Sequence, residues 1–327
     1  MQKIKHVLQW HILHRCNLRC SHCYQEDYGA ELSFDELKRI FFQYKNFCTS
    51  LGFCGHINFT GGEPIISRHL FPLLDLCSEH NITFGILSNG TLITDEIAEK
   101  LGKYSGLSFV QISIDGTEKT HDSVRGNGNF RKAFEGADNL RAHGIQTMAA
   151  FTCHKRNYTE LKDVIKTVRR KKIDRFWADR LIPMGSSTED ILTTDEYREV
   201  IRTLTHEHNR RTLFGNTNVH LNRALQFLEG GDCFYQCTAG TTLLTVLADG
   251  TLLPCRRLPI PIGNCLETDM LELYRNSSLI AELKEKRIPD ECIACPKAEA
   301  CRGGAKCLSY AVKGDHNIRD INCYKLF

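Results

Sequence analysis

The chain has 327 residues, a formal net charge of +3 and sixteen cysteines. That length suits one large domain, or a large one with a small one, and the apolar content is ample for a core. Scattered Lys and Arg form no basic stripe, which argues against a nucleic-acid partner, and no apolar run approaches the roughly 18 residues of a membrane span.

The opening MQKIKHVLQWHIL is too short and too polar for a cleavable export signal, so a cytoplasmic location is expected. Thiols stay reduced there, and clustered cysteines then read as metal ligands rather than disulfides. Three of them, Cys16, Cys20 and Cys23, stand at C-x3-C-x2-C spacing, and nine follow residue 232. The four between, Cys48, Cys54, Cys77 and Cys153, are isolated and read as small core hydrophobes.

In chain order, six short apolar runs alternate with helix-length amphipathic stretches. The runs are HVLQWHIL (6–13), HINFT (56–60), ITFGILS (82–88), FVQISI (109–114), IQTMAAFT (145–152) and RFWADRLI (175–182). Ser33 with Glu36, and Thr193 with Glu196, have capping-box spacing before helical stretches. Asn157 reads as an N-cap for YTELKDVIKTV. Six strand–helix pairs predict parallel strands with right-handed crossovers. Six units fall short of eight, so the expected fold is α/β, a partial (β/α)6 TIM-like barrel over residues 1–209 that stays open. Its chemistry belongs on the loops after the strands, where the opening cysteines sit. Residues 210–232, with VHLNRALQFLEGG, read as a connecting helix ended by Gly230 and Gly231. Residues 233–327 read as a small, turn-rich, metal-stapled domain.

Three thiolates on one loop cannot close a structural zinc site, which wants four ligands. A [4Fe–4S] cubane held by three cysteines leaves one iron open to something that is not protein. The competing reading completes a zinc site with His14 or His22.

C16-NLR-C20-SH-C23-Y24 resembles the signature of the radical S-adenosylmethionine superfamily, with Tyr24 as its aromatic residue. The resemblance implies a [4Fe–4S] cluster whose open iron binds S-adenosylmethionine, and reductive cleavage to a 5′-deoxyadenosyl radical that abstracts hydrogen from substrate. Gly61, Gly62, Glu63 and Pro64 resemble the family's GGEP motif, which holds the methionyl amino group. Glycines let backbone approach a ligand closely, and a carboxylate accepts from an ammonium. Asn89, in S88-N89-G90-T91, resembles the family's turn after strand three. Ser113 and Asp115 fall where the family binds ribose hydroxyls, and Arg125 where a guanidinium would meet the methionyl carboxylate. Asn157 and Arg180 are weaker pocket candidates.

The C-terminal cysteines resemble the SPASM extension, which holds two auxiliary [4Fe–4S] clusters. By position, Cys233, Cys237 and Cys255 would ligate the first, and Cys292, Cys295, Cys301 and Cys323 the second. The remaining ligand is expected at 305, where this chain has Ala305; Cys307 or Cys265 could replace it, and without a replacement the first auxiliary cluster would keep an open iron for substrate. A zinc ribbon is the competing reading of these C-x2-C knuckles.

The resemblance implies an enzyme maturing a ribosomally made peptide or a protein, by thioether or carbon–carbon crosslinking, oxidation or epimerisation. The alternative is side-chain processing of a tetrapyrrole. A non-catalytic iron–sulfur carrier or zinc module is the reading of another class. An external donor such as flavodoxin or ferredoxin is implied. With fifteen residues before Cys16, a leader peptide would need a separate binding protein or a site on the barrel. Sulfatase-maturing relatives carry an acidic residue after the cysteine matching Cys255; here Arg256 and Arg257 stand there and could meet substrate carboxylates.

Overall fold

The computed structural model describes residues 3–23, 31–183, 187–210, 217–231 and 234–324. Tyr24 and Cys233 lie outside the described residues.

The first half alternates as expected. Strand β1 (Lys5–His11) leads to α1 (Phe34–Leu51), β2 (Cys54–Thr60) and α2 (Leu70–Glu79). Then come β3 (Thr83–Ser88), α3 (Asp95–Gly102), β4 (Leu107–Ser113), α4 (Glu118–Arg125) and α5 (Asn129–Ala142). Next are β5 (Thr147–Cys153), α6 (Leu161–Arg170), β6 (Arg175–Arg180) and α7 (Thr194–Asn209). Both capping boxes form: Ser33 with Glu36 starts α1, and Thr193 with Glu196 starts α7. Asn157 stands at the N-cap position of the 3-10 turn Tyr158–Glu160 that leads into α6, as expected. Its side chain makes no capping bond and is spent inside the barrel rim instead.

The six strands pair in parallel and in order, and the sheet runs further than the sequence suggested. The connecting helix expected over 210–232 is replaced, among the described residues, by β7 (Asn218–Val219) and a 3-10 turn at Gln226–Glu229. β7 adds in parallel to β6. The apolar residues of VHLNRALQFL are used one by one, as strand and turn, so helical periodicity there never acts. On the other side β8 (Leu243–Val246) pairs in parallel with β1, and β9 (Thr251–Leu253) and β10 (Gly263–Asn264) continue antiparallel. The result is one ten-stranded sheet with free edges at β10 and β7, a barrel that curls but does not close.

Four helices, α8 (Met270–Asn276), α9 (Ser278–Glu285), α10 (Ala298–Cys301) and α11 (Lys306–Lys313), complete the chain. Gln43 of α1 donates to the Cys265 carbonyl (2.9 Å) and accepts from Met270 N–H (3.0 Å), which ties α1 to this segment.

Two faces of the strands differ in chemistry. Leu8, Trp10, Ile57, Phe59, Phe84, Ile86, Val110, Ile112, Phe151 and Phe176 are fully buried against the helices. The intervening positions Gln9, Asn58, Gln111, Ser113, Trp177 and Asp179 are only half-buried. Period-two alternation puts them on the concave side. That side is thus polar, with Trp177 Nε1–H donating to Gln111 (2.7 Å).

Arg180 rivets the barrel to the C-terminal segment. Its guanidinium donates to both carboxylate oxygens of Asp320 (2.7 and 2.8 Å) and to Asn322 (2.7 Å), and stacks 3.9 Å above Tyr197. It is 3% exposed, so it is a joint rather than a pocket residue. Removing one partner of such a pair strands a buried charge. Arg180→Ala should therefore cost about 3–5 kcal/mol, read as a lowered midpoint in denaturant unfolding.

Candidate active site

The loop after β1 lies across the carboxyl ends of the strands and is fixed by backbone pairing. Ile12 N–H donates to Thr60 O (3.0 Å), Gly62 N–H to Leu13 O (3.0 Å), Glu63 N–H to Arg15 O (2.9 Å), and Ser21 N–H to Val124 O (2.9 Å). The two glycines serve this loop. A Cβ on Gly62 would stand 1.9 Å from Arg15 O, and one on Gly61, which has φ +144°, 2.3 Å from Leu13 O. The close approach expected for a ligand is thus made by the cysteine loop itself.

The sulfurs receive N–H donors. Leu18 N–H points at Cys16 Sγ (3.4 Å), joined by Asn89 Nδ2 (3.9 Å). Arg125 donates to Cys20 Sγ (3.8 Å). The arrangement two residues on recurs in the C-terminal segment. Arg257 N–H reaches Cys255 Sγ and Lys297 N–H reaches Cys295 Sγ, each at 3.4 Å. Such donors stabilise thiolate ligands and tune iron–sulfur centres. For the core thiol Cys77 burial alone pushes the pKa upward.

Glu63 caps the 3-10 turn Pro64–Ile66, for which Pro64 supplies the first residue. Its carboxylate accepts from Ile65 N–H (3.1 Å), Ser88 Oγ (2.8 Å) and Asn89 N–H (2.8 Å). It is fully buried. Burial outweighs these donors and pushes its pKa up to about 7. Asn89 bonds Asn17 (2.9 Å), and Asn17 bonds Thr91 (3.0 Å), so the turn after β3 grips the cysteine loop. Asn17, hidden inside the cysteine spacing, was not singled out by sequence; its place beside Cys16 was the available signal.

Asp115 and Arg125 are engaged with each other. Arg125 Nε donates to Asp115 Oδ2 (2.6 Å), Thr152 N–H to Oδ1 (3.0 Å), and His22 Nε2 lies 3.4 Å away. Burial opposes charge on Asp115, yet Arg125, His22 and Thr152 together hold its carboxyl well below the usual range. Asp115 is 1% exposed, so its carboxylate is committed to protein. Asn157 donates to the carbonyls of Asp115 (3.0 Å) and Thr152 (2.9 Å) and accepts from His154 N–H (2.8 Å), which locks this corner. Ser113 is half-buried at the end of β4. His22, offered as a zinc ligand in the competing reading, turns toward Asp115.

The C-terminal thiols form two groups. Cys292, Cys295, Cys301 and Cys323 line one cavity with Phe227 and Leu228. Cys307 neighbours Cys237 and Cys255 closely enough for each to raise its pKa, after burial. Cys265 is buried elsewhere, beside Asp269 and Arg39. Arg257 pairs with Asp179 and donates to Arg180 O (2.8 Å); the carboxylate it meets belongs to the chain. Asp179 went unnoticed in the sequence because it sits inside an apolar-looking strand.

The site thus joins thiols that receive N–H donors to a glycine-tight acidic turn at the carboxyl end of a partial barrel; among the described residues no three His, Cys, Asp or Glu side chains are drawn together as a closed metal site. The family model for the radical SAM superfamily matches residues 10–168, and that for the SPASM iron–sulfur cluster-binding domain matches 237–296. This chain belongs to the radical SAM superfamily and carries a SPASM domain. It is similar to the AdoMet-dependent heme synthase of Nitratidesulfovibrio vulgaris, 27% identical over 97% of this chain and 91% of that protein. The mycofactocin maturase MftC of Mycobacterium tuberculosis is 28% identical over 93% of this chain and 78% of its own length. The crystal structure of Streptococcus suis SuiB bound to S-adenosylmethionine shares the fold, with TM-score 0.79, 20% identity, and coverage of 99% of this chain and 78% of that one. Among the described residues no helix is long and apolar enough to cross a membrane.

Two outcomes follow from the site. Gly62→Ala drives a Cβ into the cysteine loop and should destabilise by about 3 kcal/mol or more, with loss of bound iron per chain. Glu63, whose pKa is raised above the ordinary carboxylate value of 4.5, keeps its proton longer in the folded state. Stability of the metal-free protein should fall as pH rises from about 4.5 to about 7, by on the order of 3 kcal/mol from this group. Glu63→Gln should remove that slope in unfolding measured across the interval.

Proposed function

We propose that this chain reductively cleaves S-adenosylmethionine and removes a hydrogen atom from a peptide or protein substrate. Cys16, Cys20 and Cys23 would hold a [4Fe–4S] cluster, and their N–H donors and glycine-tight seat fit that group. When bound, the cluster and S-adenosylmethionine supply the one-electron chemistry; the chain orients and shields it. Glu63, buried and pinned by three donors, would receive the cosubstrate's ammonium, with Asn89 beside the cluster. Cys237, Cys255 and Cys307 with Cys233, and Cys292, Cys295, Cys301 and Cys323, would hold two auxiliary clusters. These would carry an electron from the substrate or help to seat it. An external donor such as flavodoxin or ferredoxin would reduce the enzyme.

The observation that carries the peptide reading is the polar concave face. Gln9, Asn58 and Gln111 bring amide groups suited to peptide backbone to that face, where Trp177 Nε1–H is bonded to Gln111 and Asn58 Oδ1 to His56, while Arg180 and Arg257 are already paired within the chain. The likeness to MftC, by name a maturase, supports it, as does the shared fold with SuiB, also solved with its precursor peptide SuiA. The second reading, a tetrapyrrole substrate, is favoured by the likeness to heme synthases.

Anaerobically purified protein should contain about twelve irons, four per cluster. Reduced protein should form 5′-deoxyadenosine from S-adenosylmethionine, and the Cys16→Ala/Cys20→Ala/Cys23→Ala variant should form none and lose roughly four irons. Bound zinc without 5′-deoxyadenosine would overturn the enzyme reading. Stimulation of turnover by iron-coproporphyrin but by no cysteine-rich peptide would replace the peptide reading with the tetrapyrrole one.

A further inference from the structure

The resemblance assigned Arg125 to a cosubstrate carboxylate, but its guanidinium is otherwise engaged. Arg125 sits at the end of α4, with its side chain 11% exposed. One arm is fixed by Asp115 Oδ2 at 2.6 Å, and NH1 reaches Cys20 Sγ at 3.8 Å. Asp115 is itself fixed, by Thr152 N–H at 3.0 Å and through its carbonyl by Asn157. The backbone closes the same corner, since Ser21, next to Cys20, donates to the carbonyl of Val124, next to Arg125. A permanent cation is thereby held against one ligand sulfur, with a buried anion behind it.

We propose that Arg125 is a positioning residue that sets the reduction potential of the cluster held by Cys16, Cys20 and Cys23, with Asp115 holding it in place and partly screening its charge. This rests on the radical-enzyme reading above. Reduction adds one electron to the cluster, delivered by the external donor, and the added negative charge is stabilised by a nearby cation and by N–H···S donation. The guanidinium, charged at every working pH, supplies both at Cys20. Asp115 subtracts from its field, so the two residues pull the potential in opposite directions. A residue that merely propped up the loop would not give opposite signs.

The test is a redox titration of the full, cluster-loaded chain followed by electron paramagnetic resonance. The radical cluster is identified as the signal that changes with added S-adenosylmethionine and is absent from the triple cysteine variant. Arg125→Gln should shift its midpoint to lower potential, Arg125→Lys should leave it near wild type, and Asp115→Asn should shift it upward. An unmoved midpoint in Arg125→Gln overturns the inference, as does a downward or absent shift in Asp115→Asn. Weakened S-adenosylmethionine binding with an unmoved midpoint overturns it in favour of a direct carboxylate contact. If Arg125→Gln fails to retain iron, the sign of the Asp115→Asn shift decides alone. Failure of the underlying reading looks different: the wild-type chain then shows no reducible signal that depends on Cys16, Cys20 and Cys23.

Discussion

The site depends on one close approach, the backbone of Gly61, Gly62 and Glu63 against the backbone from Leu13 to Arg15. At 1.9 Å from Arg15 O, the place of a Cβ on Gly62 is occupied by the neighbouring chain. The hydrogen bonds made there set the height of the cysteine loop over the barrel mouth. They also bring Glu63 beneath it. Asn89 and Asn17 tie the loop to β3, and Ser21 ties it to α4. A loop with three thiols would otherwise be free to splay; pairing on three sides restrains it.

Hydrogen bonding at sulfur differs between cysteines at chain bends and cysteines inside regular elements. Cys16, Cys255 and Cys295 each receive an N–H from the residue two places on. That turn needs a chain bend just after the cysteine, which a strand or helix interior does not offer. Cys153 stands within β5, and Cys77 within α2, where backbone donors serve the ladder or the helix. Cys307 is a different case, a helical cysteine brought to Cys237 and Cys255 by the placement of α11.

Charge organises the seam between the two halves. β6 ends in Asp179 and Arg180, which point to opposite faces, as adjacent strand residues must. Asp179 takes Arg257 beside the Cys255 turn, and Arg180 takes Asp320 and Asn322 near Cys323. One strand end therefore anchors the Cys255 turn and the segment around Asp320 to the barrel. Arginines that looked available to substrate in the sequence are joints in the structure.

The local pattern by itself determined much of this protein. Alternating apolar runs and capping signals marked six strands and their helices, because parallel strands and amphipathic helices have different periods. Cysteine spacing with Gly61–Pro64 marked the site and its family, because one loop must carry three thiols toward one cluster. Tertiary structure decided what spacing cannot encode. It made Val219 a strand and Gln226–Glu229 a tight turn where a helix was expected, since the edge of β6 was open to pairing. It made the Asn157 side chain a brace rather than a capping group, and engaged Arg125 with Asp115 and Cys20. It brought Cys307 rather than Cys265 to Cys237 and Cys255. These partners lie tens to hundreds of residues apart, and only the curl of the sheet brings them within reach.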